Sequence, residues 1–267
     1  MNANDLFAAL SLPPSAWVQQ RVPKKLLTEH SAITASDRKL IQDQVQEVQW
    51  LAAIKPSNAG VPTFEDAQRS YLELAVISIS LRQATTSQMQ RVAELLHRAV
   101  PYPVLLILDA GDTLAMSMAH IRWAQQEADK TVLDGDVLMA TLLTHESASA
   151  AHNGFMAALP LQQQTRTHLH ALVQSWMDTL SAWQAVAIMG QFVPSPSSEV
   201  AAQRREALRQ CQALDVKISQ LRAQASKEKQ MGRLVEINGM INSCKAQRLN
   251  AEFVLKNNAF LQLEKLS

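Results

Sequence analysis

The sequence predicts an α+β fold: a mixed sheet centred on a β-α-β-β unit and packed by helices, followed by a C-terminal antiparallel helical hairpin of coiled-coil type. Three observations predict it. Residues 70–123 read as a strand, an amphipathic helix and two further strands joined by turn chemistry. The stretch VPSPSS at 193–198 has the composition of a linker. Beyond it, Leu208, Cys211, Leu214, Ile218 and Leu221 step by three and four, and so do Leu234, Ile237, Ile241 and Cys244.

The elements follow in chain order. Residues 1–30 hold a short apolar helix or turn, then Leu12, Pro13 and Pro14, then the basic run Arg21, Val22, Pro23, Lys24, Lys25. Pro23 biases Val22 toward extended backbone, which keeps Arg21, Lys24 and Lys25 out of a regular helix. Such a loop either contacts a partner or is simply solvated. Thr34 or Ser36 caps a helix over 37–46, with Leu40, Ile41 and Val45 on its buried side. Val48, Trp50, Ala52 and Ile54 alternate at period two and predict a strand, and PSNAGVPT at 56–63 is a loop by composition.

In the central unit, Leu72, Leu74, Val76 and Ser78 alternate with Glu73, Ala75, Ile77 and Ile79. Both faces are largely apolar, so this strand is central. Thr85, Thr86 and Ser87 cap a helix with Met89, Val92, Leu95, Leu96 and Ala99 on one face, and Pro101 and Pro103 stop it. A buried-type run at 104–108 meets the turn residues Asp109, Ala110, Gly111 and Asp112, which lead into a strand over 114–121. Residues 130–144 predict a second hairpin turning at Asp134, Gly135 and Asp136, and 147–154 predicts a surface loop. From 161 to 189, Leu169, Leu172, Val173, Trp176, Leu180, Trp183 and Val186 share a helical face, with Gly190 placed as a left-handed cap. The two tryptophans are expected to be core anchors against the sheet. The expected division is a globular domain at 1–192, a linker at 193–198 and a helical hairpin at 199–267.

In the C-terminal segment, pairing Leu221 with Leu234, Ile218 with Ile237, Leu214 with Ile241 and Cys211 with Cys244 gives a constant sum of residue numbers, 455. An antiparallel hairpin turning near Lys227 and Glu228 places these pairs level along one seam. The alternative, one continuous helix, carries its apolar stripe past Glu228.

Composition narrows the function classes. The chain is 47% apolar, and no run of about 18 uncharged apolar residues occurs. The start, MNANDLFAAL, lacks the basic region and apolar stretch of a signal peptide, so a cytoplasmic protein without membrane association is expected. Cys211 and Cys244 make neither a disulfide framework nor a zinc site. The net charge of +1 conceals an asymmetry: residues 197–267 hold 12 Lys and Arg against 7 Asp and Glu, and residues 1–196 hold 13 against 17.

The spacing of the chain's polar residues matches none of the common catalytic motifs. No GxGxxG, GxxxxGK[ST] or GxSxG occurs among the 7 glycines' contexts. Asp109 and Asp112 lie at a hairpin, but the strand that follows offers neither the carboxylate nor the lysine of a hairpin-based nuclease. His168 and His170 diverge at i and i+2 if both are helical, and His145 and His152 lack the HExxH spacing. No catalytic set, metal or cofactor is therefore predicted. His97 and Arg98 end the central helix while His120 and Arg122 lie on the last strand of the unit, so a strand beside the helix end brings them to one anionic ligand. The predicted nucleic-acid-binding or partner-binding set is Arg21, Lys24, Lys25, His97, Arg98, His120 and Arg122.

The stretches RVPKKLL (21–27), AELLHRAVPYPVLLIL (93–108), MAHIR (118–122) and KEKQMGRLVEIN (227–238) carry a resemblance. They resemble an uncharacterised bacterial domain-of-unknown-function family found in defence islands beside helicase and DNA methyltransferase genes. Gly232 and Leu234 stand where that family has more polar residues. The resemblance implies a setting and partners, a helicase or methyltransferase subunit, and no agreed catalytic set. The leading expectation is a non-enzymatic accessory or adaptor subunit of an anti-phage or restriction-modification-type system, with a homodimer through the C-terminal helices as a further option. The alternatives are a divergent metal-dependent nuclease and a nucleic-acid-binding module.

Overall fold

The strand Leu74–Leu81 buries apolar side chains on both faces, with Ser78 and Ser80 on one of them, and the first part of the chain is built outward from it. The computed structural model describes residues 2–29, 33–124, 130–143 and 149–266. In order these form α1 (Ala3–Ala9), β1 (Trp17–Arg21), α2 (Leu26–Glu29), α3 (Ala35–Gln44), β2 (Val45–Ile54), α4 (Pro56–Ala59), β3 (Phe64–Glu65), β4 (Ser70–Tyr71) and β5 (Leu74–Leu81). Then come α5 (Thr86–Ala99), β6 (Val104–Asp109), β7 (Thr113–Met118), β8 (Ile121–Trp123), β9 (Thr131–Leu133), β10 (Leu138–Leu143), α6 (Ala150–Ala158), α7 (Leu169–Met189), α8 (Ser198–Ala225) and α9 (Met231–Leu266). Two compact units result, Met1–Leu180 and Ser181–Ser267.

The first unit is the predicted mixed sheet packed by helices, with six strands in the order β1-β2-β5-β6-β7-β10. Its β5 and β6 are parallel, with Ala75 opposite Val104 and Ile79 opposite Leu108, and α5 is the crossover between them. Local chemistry fixes the ends of that helix. The Thr85 hydroxyl accepts from Gln88 N–H, and the Gln88 side chain accepts from Thr85 N–H. Met89, Val92, Leu95 and Leu96 then fall on one face and bury against Ile77, Ile79, Leu106 and Ala115. The turn into β7 is made by Asp109, whose carboxylate accepts from Gly111 N–H at 2.9 Å, and by Gly111 itself at φ 83°.

A charged tie holds α3 to α5. Thr34 caps α3 in a capping box with Asp37, and the Arg91 guanidinium binds both oxygens of Asp37, at 2.8 and 2.9 Å. The bond from Arg91, reinforced by Thr34, holds the Asp37 carboxyl well below the usual carboxylate range. At the sheet edge, β1 carries a bulge where Gln19 takes φ 52° and the register to β2 slips between Trp17 and Gln20. An irregular edge of this kind resists pairing with another chain.

Three expectations are corrected here. The strand expected over 114–121 ends at Met118, and Ile121–Trp123 leaves the main sheet to pair with β9. Residues 130–144 do not form one hairpin: β9 pairs with β8, whereas β10 lies against β7 with Leu138 opposite Met118. Gly135, at φ 95°, makes the turn between them, and Thr144 lies outside the described residues. The loop expected at 147–154 is helical from Ala150, because Ser149 accepts from His152 N–H and caps α6; 147 and 148 lie outside the described residues.

In the second unit α8 and α9 form the expected antiparallel hairpin. Its turn needs neither Gly nor Pro. The Glu228 carboxylate accepts from the N–H groups of Lys229 and Gln230, each at 2.8 Å, satisfying donors just ahead of α9. The register differs from the sequence pairing. Cys244 packs in a layer with Ile218, Leu221 and Ile241, while Cys211 packs with Ala207, Leu208, Ala251 and Leu255. Arg248 fixes this slide. Its Nε donates to Asp215 and its Nη1 to Glu252, which puts 215 level with 248, a sum of 463 in place of 455. Matching apolar residues by position alone is degenerate by about one heptad, and the ion pair breaks the degeneracy. Mild oxidation is therefore expected to give no intrachain Cys211–Cys244 disulfide, whereas Ile218→Cys should cross-link to Cys244. Non-reducing mass mapping of both proteins checks this, and a Cys211–Cys244 peptide in the wild type contradicts the register.

Candidate functional site

The predicted cationic set is distributed over separate places. Arg21 ends β1 with its side chain 74% exposed and reaches Glu47 at 3.5 Å. Lys24 turns inward, and its ammonium donates to the Val45 carbonyl at the start of β2. Lys25 is exposed. Arg21, Val22, Pro23, Lys24, Glu47 and Val48 line a shallow pocket of about 270 Å³. Of the three loop cations, Arg21 and Lys24 are thus already engaged with β2.

His97, Arg98, His120 and Arg122 do not converge. Consecutive helix residues point about 100° apart, so His97 is buried with Nε2 3.0 Å from Ser117 Oγ while Arg98 faces solvent. Burial lowers the His97 imidazole to about 4, which keeps it neutral at pH 7. Because the strand breaks after Met118, His120 and Arg122 belong to a different neighbourhood, that of the β8–β9 pair. There Arg122 lies 3.7 Å from Asp134.

Instead the fold assembles an aromatic and histidine stack that helical spacing does not predict. His168 precedes α7, where its Nδ1 accepts from Ala171 N–H at 3.1 Å, so it does not diverge from His170 as two helical residues would. The Phe64 ring sits 4.6 Å from His168 and 4.8 Å from His170, and His170 stacks on His120 at 4.5 Å. Tyr71 meets His170 edge-on at 5.1 Å. The available signal was Phe64 and Tyr71 flanking the Asp66 to Arg69 turn: β3 and β4 pair with Phe64 opposite Tyr71, presenting the rings together.

A polar chain runs through this stack. Gln174 Nε2 donates to Asp178 at 2.8 Å, which leaves its Oε1 to accept from His120 Nε2 at 3.0 Å. His120 Nδ1 then accepts from the Tyr71 hydroxyl at 2.8 Å, and that hydroxyl accepts from Ile121 N–H at 3.2 Å. Burial pushes the Tyr71 phenol up to about 12. Burial, then the neighbouring His120, Arg69 and His168, lowers His170 to about 4. Beside them Arg69 binds Asp134 through Nε and Nη2, at 2.8 and 2.5 Å, and joins the β3–β4 turn to the β8–β9 pair. Both His120 nitrogens are taken by protein groups, so the arrangement works as a clamp between β4, β8 and α7. Among the described residues no group of three His, Cys, Asp or Glu side chains has the geometry to hold a metal ion.

The second unit presents a different feature. Met231, Val235, Leu249 and Phe253 of α9 are 75%, 66%, 62% and 64% exposed. At about 100° per residue they fall within roughly 40° of arc, some 140° from the seam residues that face α8. A groove of about 470 Å³ between the two helices is lined by Gln210, Ala213, Leu214, Gln247, Asn250, Ala251 and Val254. No helix among the described residues is long and apolar enough to cross a membrane.

Residues 10–247 match the family model described as domain of unknown function DUF4391, which spans the sheet, the histidine stack and most of the hairpin. The chain belongs to that family. No curated protein and no solved structure matches it significantly. The DUF4391 match ends before Leu249 and Phe253, so the apolar stripe of α9 begins inside the family region and continues beyond it.

Proposed function

We propose that this chain is a non-enzymatic accessory subunit that docks a partner protein through the outer face of α9. The α/β unit serves as its scaffold. The observation that carries this reading is the stripe of Met231, Val235, Leu249 and Phe253, four large apolar side chains left in solvent on a helix whose other face is already packed. Isolated apolar residues on a surface need no explanation, but an aligned set on one helix has the form of a helix-docking surface. The resemblance carried by RVPKKLL, AELLHRAVPYPVLLIL, MAHIR and KEKQMGRLVEIN supplies the partner class: a helicase or DNA methyltransferase subunit of an anti-phage or restriction-modification-type system.

The test is affinity purification of the tagged chain from its native host, with quantitative mass spectrometry. A stoichiometric partner is expected with the wild type. In Leu249→Ser/Phe253→Ser its recovery should drop by about thirtyfold, the size of a typical interface hot spot. The Arg21→Ala/Lys25→Ala variant should retain it. Full recovery with the serine variant overturns the reading.

A further inference from the structure

We infer that the segment docking on α9 is an acidic amphipathic helix. This rests on the reading of α9 as a docking face and names what occupies it. The charge distribution along α9 carries the inference. Lys245 and Lys256 are both exposed, and on the helical projection they lie within about 40° of one edge of the apolar stripe, eleven residues apart on the same side. Neither engages an acidic side chain among the described residues.

The nearby carboxylates offset that row only in part: Arg248 balances one of Glu252 and Asp215, leaving one negative charge against the two lysines. Glu252, between the lysines and the seam, is taken by Arg248, which also holds Asp215. Glu236 projects well away from the stripe, about 100° beyond its far edge. The segment from 198 to 256 carries 11 Lys and Arg against 6 Asp and Glu, so the whole hairpin has a basic excess, of which Lys245 and Lys256 are the part beside the stripe on α9.

This pattern favours one occupant over the other candidate, a second copy. Two copies meeting antiparallel through the same face across a two-fold axis place Lys245 and Lys256 of each near the cationic row of the other, and like charges at an interface are repulsive. A helix with leucines at i, i+4, i+18 and i+22 and glutamates along one flank meets the same stripe with complementary charge. Asn242 interrupts the stripe on its axis between Val235 and Leu249, with Asn238 beside its cationic edge. The occupant therefore has two apolar contact points separated by a polar one.

The experiment uses the full chain and two synthetic helical peptides of identical apolar pattern, one flanked by glutamates and one by lysines, with fluorescence anisotropy at low and high salt. Sedimentation of the chain alone runs beside it. The acidic peptide is expected to bind, the lysine peptide at least about tenfold more weakly, and the preference to shrink with salt. Lys245→Glu/Lys256→Glu should reverse the preference, and Leu249→Ser/Phe253→Ser should abolish binding of both. Unchanged helicity and melting of the variants establish that they are folded, as expected for exposed positions. Equal binding of the two peptides, no binding of the acidic one, or a homodimer lost in Leu249→Ser/Phe253→Ser overturns the inference. If the native partner is still lost in the serine variant while the acidic peptide fails, the docking face stands and only the acidic occupant falls.

Discussion

Trp176→Ala should lower stability by about 3–5 kcal/mol, with Trp176→Phe losing roughly 1–3 kcal/mol. Trp176 is 1% exposed, and its indole donates to the Leu159 carbonyl at 2.9 Å, tying α7 to the end of α6. Truncation to alanine removes a large buried ring and leaves that carbonyl without its donor. Phenylalanine keeps most of the apolar volume and loses the hydrogen bond. Urea denaturation of the three proteins separates the two contributions. Equal losses in both variants would mean that the hydrogen bond, and not the packing, dominates.

Acid should weaken the fold well before the carboxylates titrate, and His97 should be a main cause. Its folded value of about 4 lies below the ordinary 6.5, so between those values the unfolded chain binds the proton that the folded chain refuses. The unfolded state therefore gains as pH falls from 6.5 to 4, and stability drops over that window by about 2 kcal/mol between pH 7 and pH 5 from this residue. His170, held low by burial and by its neighbours, changes stability in the same direction. Asp37 acts at lower pH: its depressed carboxyl contributes stability above the ordinary 3.8 that is lost as pH falls below it. His97→Leu with Ser117→Ala removes the titrating group and its partner together, and should flatten the pH 7 to 5 slope by that amount in chemical denaturation. An unchanged slope would place His97 in contact with solvent.

The β-α-β-β unit was legible because its determinants are local. Thr85 and Gln88 cap α5 within one turn, Asp109 and Gly111 build the turn into β7, and the runs at 74–81 and 104–109 have no polar face to mislead. The break after Met118 was not legible because its partner is distant: Ile121 N–H donates to Tyr71, 50 residues away. The same holds for the false hairpin at 130–144, whose two strands satisfy their backbone groups on different sheets. Helical spacing separates His168 from His170, but the helix begins one residue after the first of them. In the hairpin the apolar periodicity identified most seam residues, missing Ala207, Ala251 and Leu255 and adding Leu234, but an apolar repeat matches itself again one heptad along. Arg248 and Asp215 decide the register, and ion-pair choice between helices is not encoded in spacing.

The central claim is that a partner seats on the outer face of α9, and hydrogen–deuterium exchange of the purified native complex against the free chain tests it most directly. The account predicts slowed exchange in peptides covering 231–256, with the 21–25 loop and the β8–β9 pair unchanged. Protection confined to the loop or to the histidine stack, with α9 exchanging as in the free chain, would contradict it.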